Sequence, residues 1–152
     1  MAAEKAATMQ EVLLVEKRVE FDADIDRVWD AIANPESIVK WFPDEVNVDE
    51  FAVGQRGTLV WNTTECAGPY EFEIVELVER ERVVWRWGRD ANKTLEDTPT
   101  TVAEFNLRER EGGGTVLHLR ESGFVSEEDR QGNDGGWDNE LAELAEYLRT
   151  QS

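Results

Sequence analysis

Apolar and polar residues alternate with a period of two along much of the chain, which is the pattern of β-strands with one buried face. The first such segment runs from Glu11 to Phe21, where most odd positions are apolar and most even positions are charged. The same alternation predicts six further strands, at residues 46–51, 58–62, 70–77, 83–87, 103–108 and 117–120. Its phase shifts at Val75, which indicates a bulge or a strong bend.

Helical spacing follows the first strand. One stripe at i, i+3, i+4 and i+7 is formed by Ile25, Val28, Trp29 and Ile32. Asp22 or Asp24 can cap the N-terminus of this helix, and Pro35 is typical of the first turn of a second one. The second helix is predicted to be short and to end near Trp41.

A third helix is predicted at the C-terminal end of the chain. Its apolar positions lie at i, i+4, i+7 and i+11, and they are Trp137, Leu141, Leu144 and Leu148. We place its start at Gly136, since residues 123–136 are polar and rich in glycine, and we interpret those residues as a loop.

The order of these elements predicts an α+β fold. Strands that follow each other through tight turns form an antiparallel sheet, and only the last helix is long enough to cover it. The pattern predicts a single domain over residues 11–150, preceded by a flexible tail at residues 1–10.

Charge is the main feature of the composition. The 152 residues include 34 acids and 16 bases, for a net charge of −18, so we expect neither nucleic acid nor anionic membrane as a partner. A surface rich in acids and poor in lysine suits a cytoplasm of high salt, although a generally acidic protein is the simpler interpretation. No signal peptide or membrane span is predicted, so we expect a cytoplasmic protein without membrane insertion. The lone Cys66 is expected to be inert.

Few residues suggest catalysis. The only histidine, His118, shares the outer face of its strand with Val116 and Arg120, and we interpret it as part of a polar surface cluster with Glu104 and Arg86. We expect no cofactor and no metal site. The acids at residues 127–129 lack the pattern of a calcium loop, and we interpret them as a solvated loop.

Large aromatic residues suggest an apolar pocket instead, because many of them share the inner face of the sheet. The candidate pocket residues are Trp61, Tyr70, Phe72, Trp85, Trp87, Phe105, Leu119, Glu121, Trp137 and Leu141. Plain core packing is the alternative for each aromatic residue. Glu121 is the only candidate for an acid, a base or a ligand anchor, and a solvated strand end is its simpler interpretation. Trp29 and Trp41 are expected to hold the small helices on the sheet.

Several short motifs, in order, resemble those of one protein family. They are Val28-Trp29, Trp41-Phe42-Pro43, the segment 53–57, the segment 82–87, the segment 114–117, Ser122-Gly123-Phe124 and Gly136-Trp137. The chain resembles the AHSA1-like branch of the START/SRPBCC superfamily over about residues 12–149. The resemblance implies a helix-grip (START-like, Bet v 1-like) fold, in which a curved seven-stranded antiparallel sheet surrounds the C-terminal helix and two short helices join strands 1 and 2.

The same resemblance implies a function. Members bind apolar molecules in a cavity between sheet and helix, so we expect a small apolar or amphipathic ligand and no covalent chemistry. The alternatives are an enzyme of the polyketide-cyclase or hydrolase type and a chaperone regulator. Hsp90 is not an expected partner for this one domain. A weak homodimer is a further possibility. The family often has a histidine where this chain has Glu121; if that position touches the ligand, the ligand preference of relatives need not transfer.

Overall fold

A computed structural model describes residues 13–62 and 68–150. The predicted tail at residues 1–10 and Cys66 lie outside the described residues. Within them, the chain forms a seven-stranded antiparallel sheet in the order β1-β7-β6-β5-β4-β3-β2. The strands are β1 (Leu14–Phe21), β2 (Glu45–Asn47), β3 (Arg56–Val60), β4 (Tyr70–Val78), β5 (Arg82–Gly88), β6 (Thr100–Glu109) and β7 (Thr115–Ser122). The predicted strand count, direction and fold class are confirmed.

The two short helices between β1 and β2 are α1 (Ile25–Ala33) and α2 (Pro35–Ile38). Asp24 caps α1, since its side chain accepts a hydrogen bond from the backbone N–H of Arg27 at 3.0 Å. The predicted end of α2 near Trp41 is wrong. After Ile38 the chain continues in tight turns, and Trp41 and Phe42 both enter the core just before Pro43.

The predicted strand at residues 46–51 is mostly wrong, because β2 contains three residues. Only Glu45, Val46 and Asn47 pair with β3, after which the chain leaves the sheet edge. The two strands are very close here: a Cβ on Gly57 would lie 2.3 Å from the backbone oxygen of Asn47. The predicted phase shift in β4 is confirmed as a change of register between Ile74 and Glu76.

The C-terminal helix α3 (Glu127–Thr150) begins nine residues before the predicted start at Gly136. Ser126 explains the early start, because its hydroxyl oxygen accepts a hydrogen bond from the backbone N–H of Asp129 at 3.1 Å. The acids at 127–129 therefore form the first helical turn and not a solvated loop, and they suit the positive end of the helix dipole. The predicted apolar stripe is buried against the sheet as expected.

The outer face of the sheet carries paired charges. His118 is exposed, and its Nε2 lies 3.4 Å from a carboxylate oxygen of Glu16. The other two residues of the predicted surface cluster are paired elsewhere: Arg86 contacts Glu73 at 3.1 Å, and Glu104 contacts Arg82 at 3.0 Å. Trp41, in the turns that follow α2, is buried, and its indole N–H donates to the carbonyl of Ala31 in α1 at 2.8 Å.

Candidate ligand-binding site

A cavity of about 600 Å³ opens to solvent between the sheet and the first half of α3. One wall is formed by Phe42 and by residues at or just beyond the ends of β3, β4 and β5, and the other wall is formed by residues of α3. The lining residues are Phe42, Trp61, Tyr70, Trp87, Gly88, Arg89, Gly132, Asn133, Gly136, Trp137, Asn139 and Glu140. A volume of this size holds a drug-sized molecule.

Aromatic rings form the apolar part of the cavity. Phe42 is central to them: its ring centroid lies 5.3 Å from that of Trp61, edge to face, and 5.3 Å from that of Trp137, stacked. Trp61 also contacts Tyr70 at 5.8 Å and Trp87 at 6.4 Å between centroids. Such pairs hold one another in place by offset and edge-to-face contacts, so this wall is preorganised.

Arg89 is the basic residue of the lining, and its charge is already compensated. Its guanidinium donates two hydrogen bonds to Asp129, at 3.0 and 2.7 Å, and one to Asn133 at 2.8 Å. It also lies over the rings of Trp87 and Phe124, 5.8 and 5.5 Å from their centroids. Arg89 therefore links the end of β5 to α3 more than it offers a free cation to the cavity.

Glu140 is the acidic residue of the lining, and its charge, unlike that of Arg89, is not compensated by the residues that the structure describes. Its side chain is half-buried, and no basic residue forms an ion pair with it in the part of the chain that the structure describes. Burial, together with repulsion from Glu143 and Asp44, raises the pKa of Glu140 from 4.5 to about 7.

Behind the cavity lies a second carboxylate, Glu121 of β7, which is completely buried. The indole N–H of Trp87 and the hydroxyl of Thr101 donate to its Oε2 at 2.8 and 2.6 Å. The side-chain amide of Asn133 and the indole N–H of Trp137 donate to its Oε1 at 2.9 and 2.7 Å. We call these five residues the Glu121 cluster; it joins β5, β6, β7 and α3.

The Glu121 cluster corrects the simpler interpretation of this residue as a solvated strand end. Glu121 does point inward, as the alternation along β7 predicts. Four neutral donors stabilise its carboxylate there, and Nη1 of Arg89 lies 3.9 Å from Oε2. A buried carboxylate needs such compensation to remain in the core. Glu121 is not among the residues that line the cavity, and it occupies the indole N–H groups of two tryptophans that do.

The structure divides the ten candidate pocket residues into three groups. Four of them line the cavity, namely Trp61, Tyr70, Trp87 and Trp137. Five lie in the core outside this lining, namely Phe72, Trp85, Phe105, Leu119 and Leu141. The tenth, Glu121, lies behind the lining. Within the core group, Trp85 stands out because its buried indole N–H has no hydrogen-bond partner among the described residues.

Sequence reasoning missed several lining residues, including Phe42, Asn133 and Glu140. Phe42 belongs to no strand or helix stripe, so no periodicity selects it. Asn133 lies in the segment that we interpreted as a loop. Ser126 followed by Asp129 resembles the start of a capped helix, and this signal would have placed Asn133 four residues before Trp137, on the same helix face.

Within residues 13–62 and 68–150, no group of three or more histidine, cysteine, aspartate or glutamate side chains is arranged to hold a metal ion. No helix in the same ranges combines the length and the apolar character that a membrane crossing requires.

The profile of one family, described as Activator of Hsp90 ATPase homolog 1-like protein, matches residues 22–149. The chain belongs to the AHSA1 family. No curated protein sequence matches it significantly. This membership and the sheet, short helices and C-terminal helix described above confirm the resemblance expected from the motifs.

Solved structures show the AHSA1-type fold in several bacteria. CalU16 from Micromonospora echinospora is 25% identical, with a TM-score of 0.71 over 89% of this chain and 75% of CalU16. MLL2253 from Mesorhizobium loti is 20% identical, with a TM-score of 0.76 over 91% of this chain and 98% of that protein. The Aha1 dimer from Colwellia psychrerythraea is 18% identical, with a TM-score of 0.70 over 89% and 95%.

Proposed function

We propose that this protein binds one small apolar or amphipathic molecule in the cavity between the sheet and α3, without covalent chemistry. The observation that carries the proposal is the cavity itself, with about 600 Å³ of space and an aromatic wall. Ligand sites combine a concave, mostly apolar lining with a few polar groups, and Arg89, Asn139 and Glu140 are such groups here.

The aromatic wall supports binding because it is both apolar and fixed. The ring of Phe42 contacts the rings of both Trp61 and Trp137, and Trp137 is held in addition by its hydrogen bond to Glu121. A wall that is already ordered loses little conformational entropy when a ligand packs on it.

The state of Glu121 supports a binding function over a catalytic one. A general acid or base must reach its substrate within hydrogen-bond distance. Both oxygens of Glu121 are instead occupied by donors from the protein, and the residue lies outside the cavity lining. Its role in this proposal is to hold Trp87 and Trp137 in position.

A neutral apolar dye tests the proposal. N-phenyl-1-naphthylamine, excited directly, should show a saturable rise in fluorescence with one dye bound per chain. Trp61→Ala removes one ring from the wall and should weaken binding about tenfold, which corresponds to roughly 1.4 kcal/mol.

Trp29→Ala is the matched control, since Trp29 is also a partly buried tryptophan but lies on α1, outside the cavity lining. It should leave the dye affinity unchanged. Equal losses in the two variants, or a signal that does not saturate, would overturn the proposal. Because one similar structure is of a dimer, sedimentation at the same protein concentrations should accompany the titration, so that weak self-association is recognised.

A further inference from the structure

The cavity described above has an uneven distribution of charge. The guanidinium of its basic residue, Arg89, forms two hydrogen bonds to Asp129 and lies over the rings of Trp87 and Phe124, so its positive charge is already compensated. Its acidic residue, Glu140, has no ion-pair partner in the described ranges. Of the two charged residues in the lining, Glu140 is therefore the one that lacks an opposite charge among the described residues.

The aromatic wall accommodates the same kind of charge. The faces of aromatic rings are negative, and rings arranged around a site attract ammonium groups. Trp61 lies among Phe42, Tyr70 and Trp87, with ring centroids between 5.3 and 6.4 Å away. These rings and Glu140 line the same cavity.

We propose that the ligand of this cavity is an organic cation, in which an ammonium group lies against the aromatic wall beside Glu140 and an apolar tail fills the remaining space. This inference rests on the proposed function and adds the chemical class of the ligand. A bound ammonium would supply the opposite charge that Glu140 lacks.

The surroundings of Glu140 favour such a ligand further. Asp44 and Glu143 add negative charge close to it, and their repulsion is one reason why its pKa is raised. The protein as a whole carries a net charge of −18, which attracts cations and repels anions at low ionic strength. An anionic amphiphile would have to approach this field and then compete with Asp129 for Arg89.

Three probes with eight-carbon chains separate the possibilities: octyltrimethylammonium, octan-1-ol and octanoate. Isothermal titration calorimetry at pH 8 and low salt should show the cation binding about tenfold more tightly than the alcohol, with octanoate weakest. Each probe should also displace N-phenyl-1-naphthylamine, which shows that it occupies the same cavity.

Glu140→Gln keeps the size of the side chain and removes its charge. It should weaken the cation about five- to tenfold and leave octan-1-ol unchanged. Glu128→Gln is the matched control, because it removes the same charge from an exposed position on the same helix, outside the cavity lining and not among the acids that raise the pKa of Glu140. It should weaken the cation less than about twofold.

Each other outcome overturns the inference in a recognisable way. If the cation and the alcohol bind equally, the cavity binds apolar molecules without choosing charge, and only the proposed function survives. If octanoate binds most tightly, Arg89 and not Glu140 sets the charge preference of the cavity. Equal losses of cation affinity in Glu140→Gln and Glu128→Gln would mean that the net charge of the protein, and not Glu140, attracts the cation. If no probe binds and the dye is not bound either, the proposed function fails as well.

Discussion

Two carboxylates meet at α3 in opposite surroundings. Glu121 reaches the helix from β7 and is well stabilised, whereas Glu140 is part of the helix and is not. Glu121 has no exposed surface, yet four side-chain donors from four different residues satisfy its oxygens. Glu140 is only half-buried, but acids lie near it and no base pairs with it among the described residues. Depth of burial alone therefore does not decide whether a charged side chain is stable inside a protein.

The difference separates a structural site from a candidate binding site. A fully compensated charge has nothing left to offer a ligand, so the Glu121 cluster belongs to the architecture of the fold. An uncompensated charge in the wall of a cavity costs stability, and such residues concentrate at sites of function. The comparison can be tested by changing each carboxylate separately.

The largest effect is expected for Glu121→Gln. The amide keeps the shape but replaces a charged acceptor with a neutral one and places an N–H₂ group opposite donors, so the free energy of unfolding should fall by about 2–4 kcal/mol. Urea unfolding followed by tryptophan fluorescence measures this change.

Glu109→Gln is the control for this substitution, because Glu109 is exposed at the end of β6. It should change the free energy of unfolding by less than about 0.5 kcal/mol. Unchanged stability in Glu121→Gln, combined with loss of a measurable turnover of an ester or polyketide, would show that Glu121 is catalytic and would reverse the comparison.

A medium effect is expected when one donor of the cluster is removed. Trp87→Phe keeps an aromatic ring but deletes the N–H that donates to Glu121, so it should cost about 1.5–3 kcal/mol more than Trp85→Phe. The two indoles are stacked on each other, with centroids 5.6 Å apart, and the N–H of Trp85 has no partner among the described residues. Urea unfolding of both variants gives the difference, and equal losses would mean that ring packing alone matters.

The smallest effect is expected for Glu140→Gln, and it should be a gain. The folded chain holds a proton on Glu140 up to pH of about 7, whereas the ordinary pKa is 4.5. The contribution of Glu140 to the stability of the protein therefore falls as the pH rises from about 4.5 to about 7, and its full penalty remains at higher pH. Removing the charge should stabilise the protein by about 1–2 kcal/mol at pH 8, after allowance for solvent screening, and by much less at pH 5.

Urea unfolding at the two pH values measures this gain, and repeating it in molar KCl sharpens it. Salt should reduce the gain, because Glu140 is partly open to solvent and its repulsion from Asp44 and Glu143 is screened. The loss caused by Glu121→Gln should change little with salt, because the Glu121 cluster is buried. A gain at Glu140 that is the same at pH 5 and pH 8 would contradict the uncompensated charge.

The architecture could be predicted from the sequence because it follows from which residues face inward. Alternation identified the strands of the sheet, and the spacing of Trp137, Leu141, Leu144 and Leu148 identified the face of α3 that is buried. The start of α3 was missed, because the glycines at 132, 135 and 136 were interpreted as breaking a helix that Ser126 in fact caps.

The site could be predicted only in part. The alternation along a strand shows which face of the sheet a side chain lies on, but not how far it is from the helix on the other side of the cavity. Trp85 and Trp87 have the same parity, yet only Trp87 of the two lines the cavity. Parity also turned Glu121 inward but could not supply its donors, since Thr101 and Asn133 come from elements that meet it only after folding. Glu140 follows the polar face of α3 in the sequence and gives no signal there.

The hydrogen bonds of Glu121 also lead us to expect a particular order of events during folding. Two of its four donors, Asn133 and Trp137, lie on α3, 12 and 16 residues further along the chain. When a ribosome has released β7 but still holds those residues, the strand can close the sheet only by burying a carboxylate with half of its donors missing. That cost should keep the sheet from closing early, so we expect the last helix and the last strand to become ordered together.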